Sequence, residues 1–566
     1  MPVDPNIPLP AFDNLFLADP LGERFWRHWL GAEAFAALRP HFVTLGEAGA
    51  RAAPFSAEAD RSPPRLLTHD AAGARVDRVA HHPAYAALEA LAYGGGIVSL
   101  KYDADFLAHH RERRHLVGFG AGYYFAQSEI GLYCPVCLTD GVGRVLERHA
   151  DPALAAEVIA RLGAREPERR WQGAMFLTER QGGSDVGANA AEARREGDRW
   201  LLRGDKWFCS NVGAEAILAL ARLPGAPPGT RGLGLFLVLR ARPAGNGATI
   251  RIHRLKDKLG VRSMATGEVT FEDTEAFLIG GEGEGFKQMT EMLNLSRLYN
   301  AVASVAGLRR ALLEALAYGR DRRAFGRPLR ELPLWRASLA DLAAEHLGIF
   351  VLTFEAVRAL DRADGGDADA GALVRLLTPM VKALSGKLSV FGVGEAMEAV
   401  GGNAYVEESI LPRLLRDVQV LPIWEGTTNI LTLDTLRAVE REGAHEAFFA
   451  RAARAVETIR GHAATPHGAV ETLEPRLEQD RKQLGDIAAL RPDHAQRAVR
   501  AWLETAGRTL TELLVLEAAT HEPLREVCVA AWHRIADRPF ATAPLASGHA
   551  AALADTEEPL LRAASA

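Results

Sequence analysis

The feature that most constrains the fold is a change in the spacing of apolar residues at Gly285. Before it, over about 172–284, short segments such as GAMFLTE and GEVTFED alternate apolar and polar residues, which predicts β-strands. After it, apolar residues recur every three or four positions, which predicts long amphipathic helices. We expect four of them, which together predict a bundle, beginning near residues 285, 334, 372 and 428.

The remaining sequence predicts helices on both sides of this core. Residues 1–60 are rich in proline, so we expect loops there, whereas 84–170 carry helical patterns such as DPALAAEVIARLG. The tail from about 445 is again helical. The predicted fold class is α+β, with an N-terminal extension and helical domain over 1–171, an antiparallel β-barrel domain over 172–284, a four-helix bundle over 285–441 and a C-terminal helical extension over 442–566.

Composition excludes several classes of protein. The 566 residues are 48% hydrophobic and 24% charged, as in ordinary globular proteins, and a net charge of −6 gives no overall attraction to nucleic acid or anionic lipid. With four cysteines, no signal-peptide pattern and no uninterrupted apolar run of about 18 residues, we expect a reducing, cytoplasmic location and no membrane span. Cys134 and Cys137 form a lone C-x-x-C, which predicts a buried structural pair and no metal site.

Two motifs within the predicted sheet are candidate ligand sites. In TERQGGSDVG, 178–187, two glycines let the backbone approach a ligand closely, and hydroxyl and carboxyl groups surround them. In DKWFCSN, 205–211, Trp207 and Phe208 offer faces for a planar ring. Each motif has an ordinary alternative, a polar loop for the first and an aromatic cross-strand pair for the second.

Three further motifs lie in the helical regions. YGRDRRAFGRP, 318–328, holds Arg322 and Arg323, which could meet a pyrophosphate or could simply complement the C-terminal end of a helix dipole. GEGEGF, 281–286, and GFGAGYYF, 118–125, lack the context of a dinucleotide fingerprint, so we predict turns for both.

LPIWEGTTNI, 421–430, places one acid among apolar residues. Glu425 follows Trp424 and stands between leucine and isoleucine positions. Because a carboxylate in apolar surroundings costs free energy, we expect it to serve a function. The alternative is a structural ion pair with Arg413 or Arg416.

Together these segments resemble the acyl-CoA dehydrogenase family of flavoproteins. The matching stretches, over about 170–440, are MFLTERQGGSDV, GDKWFCSN, KDKLGVRSMATGEVTFED, RRAFGRP, EAMEAVGGNAYVEES and IWEGTTNI. NLFLADP, PPRLLTHDAAGARVDRVAHHPAYAALEAL, LYCPVCLTD and the tail of about 120 residues extend the resemblance to the AidB-like, alkylation-response branch of the family. The family fold has an N-terminal helical domain, a middle β domain and a C-terminal four-helix bundle, in agreement with the periodicity.

The resemblance implies FAD as the cofactor and assigns residues to it. Those matching the flavin ring and pyrophosphate are Leu177, Thr178, Gly183 and Ser184, and those covering the isoalloxazine are Phe208 and Ser210. Arg322 and Phe325 match positions that, in the family, reach the FAD of a neighbouring subunit. The residues that match the adenine end are Glu398, Gly401 and Gly402. A last group, again around the ring and pyrophosphate, consists of Trp424, Gly426, Thr427 and Asn429.

The same resemblance makes Glu425 the general base of an α,β-dehydrogenation of an acyl-CoA thioester, with the flavin as hydride acceptor. Some family members carry the base on the first bundle helix, where this chain has Ser296, so Glu425 is the single candidate. Pro333 stands where many members have a glutamine that meets the neighbouring FAD, so we expect that contact to be absent.

The resemblance also predicts partners and a competing function. The expected partners are an acyl-CoA substrate, other copies of the chain in at least a dimer and by expectation a tetramer, and an electron-transfer flavoprotein or oxygen as acceptor. The competing function is a response to DNA alkylation through binding of double-stranded DNA by the tail, with weak or no dehydrogenase turnover. Residues 441–566 hold about 15 Lys and Arg against about 18 Asp and Glu, which is not a basic balance. Arginines cluster locally at Arg451, Arg454 and Arg460 and at Arg491, Arg497 and Arg500.

Overall fold

The structure is a computed structural model that describes residues 10–240, 250–536 and 556–565. The chain divides into two compact units. The helical unit comprises Met1–Ala50, Glu112–Ser128 and Asn300–Ala566, and the sheet unit comprises Arg51–Arg111 and Glu129–Tyr299.

The N-terminal region is helical, so the prediction of loops over 1–60 is wrong from residue 20 onward. Helix α1 spans Pro20–Leu30, and helix α2 spans Ala32–Arg61. The Asp19 carboxylate caps α1 by accepting a hydrogen bond from the backbone N–H of Gly22 at 3.1 Å. Trp26 stacks on Phe42 with ring centroids 5.4 Å apart, and both are fully buried. This aromatic packing holds a helical segment whose prolines had indicated loops.

GFGAGYYF also lies in a helix, so the prediction of a turn there is wrong. Helix α5, Arg114–Ala126, is buried along its whole length in the helical unit. A Cβ atom added at Gly120 would lie 2.9 Å from the Phe42 ring and 3.2 Å from the Trp26 ring. The glycine serves close packing between helices rather than a turn.

The sheet unit begins with a hairpin that the sequence analysis missed and continues with helices. The hairpin pairs strands β1, Arg65–His69, and β2, Arg75–Ala80, antiparallel. The helices of this unit, as predicted over 84–170, are α3, Pro83–Ala92, α4, Ala104–His110, α6, Ile130–His149, and α7, Pro152–Leu162.

A seven-stranded sheet follows. Its strands are β3, Gly173–Phe176, β4, Glu192–Glu196, β5, Arg199–Ser210, β6, Ala216–Arg222, β7, Leu233–Leu239, β8, Ile250–Leu255, and β9, Thr266–Ile279. They are ordered β3-β6-β4-β5-β9-β7, β8 pairs with β9, and pairing of β6 with β7 closes a circuit of strands. The pairs are antiparallel, as predicted, except that β3 and one residue of β4 pair parallel with β6.

Long helices and a short hairpin come next. They are α8, Gly285–Asp321, the strands β10, Arg323–Ala324, and β11, Arg327–Pro328, and the helices α9, Pro333–Asp364, α10, Ala368–Val400, α11, Ile410–Val418, and α12, Thr428–Glu442. In the helical unit, a Cβ atom added at Gly392 of α10 would lie 2.3 Å from Leu308 of α8 and 2.9 Å from Leu342 of α9. The three helices therefore converge on one core.

Helices α9 and α10 have the length and apolar composition of membrane-crossing helices. However, 89% and 83% of their most apolar windows are buried within the protein. Burial of this extent is what the core helices of a folded domain show.

The tail forms helices α13, His445–Ile459, α14, Ala469–Ala488, α15, Pro492–Ala519, α16, Arg525–Ile535, and α17, Glu557–Ala564. Three buried arginines attach these helices to carboxylates of α9. The pairs are Arg451 with Glu355 at 2.7 Å, Arg508 with Glu345 at 2.8 Å and Arg534 with Asp341 at 2.6 Å. Because all three pairs are buried, the tail is part of the core of the helical unit.

Candidate functional site

The sheet unit brings the first six predicted flavin residues into one region, called here the sheet half-site: Leu177, Thr178, Gly183, Ser184, Phe208 and Ser210. The backbone N–H of Trp207 donates to the Thr178 carbonyl at 2.8 Å, which joins the loop after β3 to the end of β5. Within the loop, a Cβ atom added at Gly183 would lie 2.4 Å from Thr178 Oγ1. A side chain at position 183 would therefore disrupt the loop.

A buried ion pair that the sequence analysis missed holds this loop. Lys206 Nζ donates to Glu179 Oε1 at 2.7 Å, and the same carboxylate accepts from the backbone N–H groups of Ala190 and Ala191. Burial opposes the charged form of Glu179, but Lys206 and the backbone donors outweigh it, so the pKa of Glu179 lies below its ordinary value. Each residue lies within one of the two motifs, and only that could have indicated the pair.

Phe208 and Trp207 stand at a bulge of β5, where the register against β9 shifts between Lys206 and Cys209. The Phe208 side chain is 55% exposed. Lys256 Nζ lies 3.8 Å from the Trp207 ring centroid and 4.4 Å from the Phe208 ring centroid. The two rings therefore share a cation–π contact with a lysine that the sequence analysis did not single out.

The segment around Glu425 lies in the helical unit, between α11 and α12, and has a strained backbone. Glu425 has φ of 56° and Gly426 has φ of 102°. Left-handed backbone at a glutamate costs about 1–3 kcal/mol and persists only where the surroundings impose it. In the described part of the chain, the buried Trp424 Nε1 donates to no hydrogen-bond acceptor. Strain and a buried donor next to each other are typical of a ligand site.

The N-terminus of α12 follows Glu425 closely. The helical ladder begins where the Leu431 N–H donates to the Thr427 carbonyl at 3.0 Å. The positive end of a helix dipole stabilises negative charge in its vicinity. Of the two arginines named as alternative partners of Glu425, Arg413 donates to Asp417 at 3.3 Å and Arg416 donates to Glu407 at 2.5 Å.

Asn429, in the first turn of α12, contacts the tail. Arg500 of α15 donates to Asn429 Oδ1 at 3.4 Å and also pairs with Glu504 at 3.5 Å. Arg500 is one of the clustered tail arginines of the sequence, and no sequence signal links it to Asn429.

The five remaining predicted residues lie at a different end of the helical unit from Glu425. They are Arg322, Phe325, Glu398, Gly401 and Gly402. Hydrogen bonds join the helix ends there: Asn403 Nδ2 donates to the Tyr318 hydroxyl at 2.8 Å, and Trp335 Nε1 donates to the Ala399 carbonyl at 2.9 Å. The turn between β10 and β11 places Phe325 at φ of 52° with 93% of its side chain exposed. Leu334 and Tyr405 are each 85% exposed in the same region.

Within one chain this end is separate from Glu425. Helix α10 touches the segment before Glu425 at Gly386, where an added Cβ atom would lie 3.3 Å from the Leu421 carbonyl oxygen. Glu398 lies twelve residues further along α10, which is about 18 Å along the helix axis. The structure therefore does not bring Glu398, Gly401 and Gly402 to Glu425.

The C-x-x-C pair is partly as predicted. Cys137 is buried and its Sγ donates to Ser296 Oγ at 3.3 Å, whereas Cys134 is half-buried. Over residues 10–240, 250–536 and 556–565, no group of three or more His, Cys, Asp or Glu side chains is arranged to hold a metal ion.

Comparison with known proteins identifies the family. The model of the adaptive response protein AidB N-terminal domain matches residues 8–168, that of the acyl-CoA dehydrogenase middle domain matches 174–274, and that of the acyl-CoA dehydrogenase C-terminal domain matches 283–440. AidB of Escherichia coli (strain K12) is 35% identical over 437 residues, which cover 75% of this chain and 78% of AidB. The chain belongs to the acyl-CoA dehydrogenase family, in its AidB-type branch.

Two further comparisons extend over most of the chain. Acyl-CoA dehydrogenase family member 11 of Caenorhabditis elegans is 34% identical over 499 residues, which cover 86% of this chain and 80% of that relative. The crystal structure of Caenorhabditis elegans ACDH-11 in complex with C11-CoA matches with a TM-score of 0.88 and 30% identity, covering 96% of this chain and 93% of that one. The predicted acyl-CoA dehydrogenase fold, with N-terminal helical, middle β and C-terminal helical domains, is confirmed. The predicted domain limits stay predictions.

Proposed function

We propose that this AidB-type acyl-CoA dehydrogenase binds FAD and removes hydrogen from the α- and β-carbons of an acyl-CoA thioester. The observation that carries the proposal is the backbone of Glu425, which is held left-handed immediately before a glycine with φ of 102° and close to a helix N-terminus. A glutamate that served only packing would gain nothing from this strain. Family membership supports the reaction, and the backbone of this segment supports the choice of Glu425.

The residues of the sheet half-site fit a flavin. Phe208 presents an exposed aromatic face beside Ser210, and the loop from Leu177 to Ser184 presents backbone and hydroxyl groups on a glycine turn that tolerates no side chain at position 183. The Glu179–Lys206 pair fixes this loop. We assign to this set the binding of the flavin ring and pyrophosphate.

The residues around Glu425 also fit, judged by the buried Trp424 N–H group. We assign Trp424, Gly426, Thr427 and Asn429 to the flavin and its pyrophosphate. When bound, FAD supplies the acceptor for the hydride from the β-carbon. Glu425 takes the α-proton onto its carboxylate, and we assign to the backbone N–H of Glu425 the stabilisation of negative charge on the thioester oxygen.

A long acyl chain is the first substrate to test, because the crystal structure of the Caenorhabditis elegans relative contains C11-CoA. The strained turn also implies a fixed base, and a fixed base needs the α-carbon brought to it by binding of the rest of the substrate. The electron acceptor we propose is an electron-transfer flavoprotein, with oxygen as the alternative.

The exposed apolar side chains at the far end of the helical unit support oligomerisation. Phe325, Leu334 and Tyr405 are 93%, 85% and 85% exposed, which is unusual for large apolar residues near one another. We propose that this surface meets another copy of the chain in a dimer or tetramer. Arg322, Phe325, Glu398, Gly401 and Gly402 then serve the FAD of that copy, consistent with their distance from Glu425 in their own chain.

DNA binding by the tail is the second candidate and has less support. Arg451, Arg508 and Arg534 are buried in ion pairs with α9, and Arg460 pairs with Glu474 at 2.7 Å. These four arginines are held by carboxylates, and the tail is not basic overall. A salt-sensitive shift of duplex DNA by the intact protein would favour this function.

The test of the proposed function is anaerobic titration of the FAD-loaded protein with saturated acyl-CoAs, beginning with C11-CoA. We expect loss of the flavin absorbance at about 450 nm with release of one enoyl-CoA per flavin. Failure of every chain length and branching pattern to bleach the flavin would contradict the dehydrogenase function. A DNA shift in that case would support the second candidate.

A further inference from the structure

A buried lysine contacts the turn that carries Glu425. Lys382, on α10, is completely buried, and its Nζ donates to the Gly426 carbonyl at 2.6 Å. Lys382 and Gly386 are one helical turn apart on α10, so both face the segment that ends in Glu425. Helix α10 thus contacts this segment at two consecutive turns, once through a glycine and once through an ammonium group.

The hydrogen bond reaches a carbonyl that the helix itself does not use. The ladder of α12 begins at the Thr427 carbonyl, which accepts from Leu431, so the Gly426 carbonyl precedes it. The half-buried Gly426 carbonyl lies outside the ladder, and Lys382 supplies its donor. The orientation of the peptide plane after Gly426 is therefore set by Lys382.

The donor to this carbonyl carries a charge. Hydrogen bonds from an ionised donor are shorter and stronger than those from a neutral one, so the ammonium group of Lys382 holds the Gly426 carbonyl firmly. The strained φ of Glu425 and the positive φ of Gly426 lie directly before the peptide that the ammonium group holds. A charged group fixing a strained turn indicates a role in the placement of the acid.

We propose that Lys382 is a positioning residue for Glu425: its ammonium group locks the Gly426 peptide and so holds the Glu425 carboxylate where it meets the substrate α-carbon. This inference rests on the proposed function. Lys382 itself touches no reacting atom. Its effect is on the rate of proton removal rather than on the affinity for the thioester.

The experiment compares Lys382→Met with Lys387→Met, which removes an exposed lysine from the same helix. For both variants, the rate of flavin reduction is measured per bound flavin, with the acyl-CoA that reduces the wild-type flavin fastest. For Lys382→Met we expect flavin reduction to slow by about 10²-fold, while the dissociation constant of the acyl-CoA stays within about threefold. Exchange of the substrate α-hydrogen with solvent deuterium should slow in parallel. Lys387→Met should behave as the wild type.

A merely structural role would lower flavin content and thermal stability but leave the rate and the deuterium exchange per bound flavin unchanged, and that result would overturn the inference. If Lys382→Met does not fold, the test uses Lys382→Gln, whose shorter neutral side chain should slow flavin reduction in the same selective way. A wild-type rate of flavin reduction in Lys382→Gln would again overturn the inference. If none of the acyl-CoAs reduces the flavin of the wild type, the proposed function fails and this inference fails with it. A reactive wild type with an equally reactive Lys382→Met refutes the role of Lys382 alone.

Discussion

The attachment of the tail gives the most quantitative prediction. Arg508 Nη2 donates to both carboxylate oxygens of Glu345, at 2.9 and 2.8 Å, and the two residues are only 1% and 5% exposed. Arg508→Met removes one member of this pair and leaves the other carboxylate buried. Removing one partner of a buried pair costs about 3–5 kcal/mol of unfolding free energy.

The assay is denaturant unfolding followed by tryptophan fluorescence, because Trp502 on the same helix is buried. The double variant Arg508→Met with Glu345→Leu should recover most of the loss, since it removes both members of the buried pair together. The matched control is Arg562→Met, which breaks an exposed pair with Glu526 and should change stability far less. Wild-type stability of Arg508→Met, or a double variant less stable than the single one, would refute the reasoning.

This prediction affects how DNA binding can be tested. Deleting the chain from about 445 would remove the arginine partners of Asp341, Glu345 and Glu355 together. We therefore expect such a truncation to unfold the helical unit. Point variants of exposed arginines such as Arg454, Arg491 and Arg497 are the informative test.

Two further predictions concern pH and the exposed apolar surface. Burial, with His521 and Arg358 nearby, lowers the pKa of His28 to about 4, so the unfolded chain takes up a proton before the folded one does and stability should fall as pH decreases from about 6.5 to about 4. His28→Asn should reduce this loss in denaturant unfolding at pH 7 and pH 5, whereas the exposed His467→Asn should not. Phe325→Ala should leave thermal stability of the separated subunit unchanged but lower both oligomer mass and retained FAD, and an unchanged mass by light scattering would contradict the assigned surface.

The long-period features of the sequence predicted the fold well. The starts expected near 285, 334, 372 and 428 fall at or within a few residues of α8, α9, α10 and α12, because an apolar face repeated over many turns has one regular solution. The strands over about 172–284 were found in the same way, from their alternation of apolar and polar residues.

Features decided by distant packing were not predictable. Gly120 looked like a turn residue, yet it packs against Phe42 and Trp26, which come about 80 and 95 residues earlier. The helices over 20–61 depend on the same aromatic core. Glu179 and Lys206 each lie within a recognised motif, but only the folded sheet pairs them across 27 residues. Lys382 carried no signal, because its contact with Gly426 spans 44 residues.

The most direct test of the account is a single turnover by Glu425→Gln beside Glu407→Gln, which alters an exposed acid in the same unit. Both variants should bind FAD as the wild type does. Glu425→Gln should slow anaerobic flavin reduction by an acyl-CoA about 10²- to 10⁴-fold, because the amide cannot accept the α-proton, whereas Glu407→Gln should react normally. Flavin reduction at the wild-type rate in Glu425→Gln would contradict the central claim that this strained glutamate is the base.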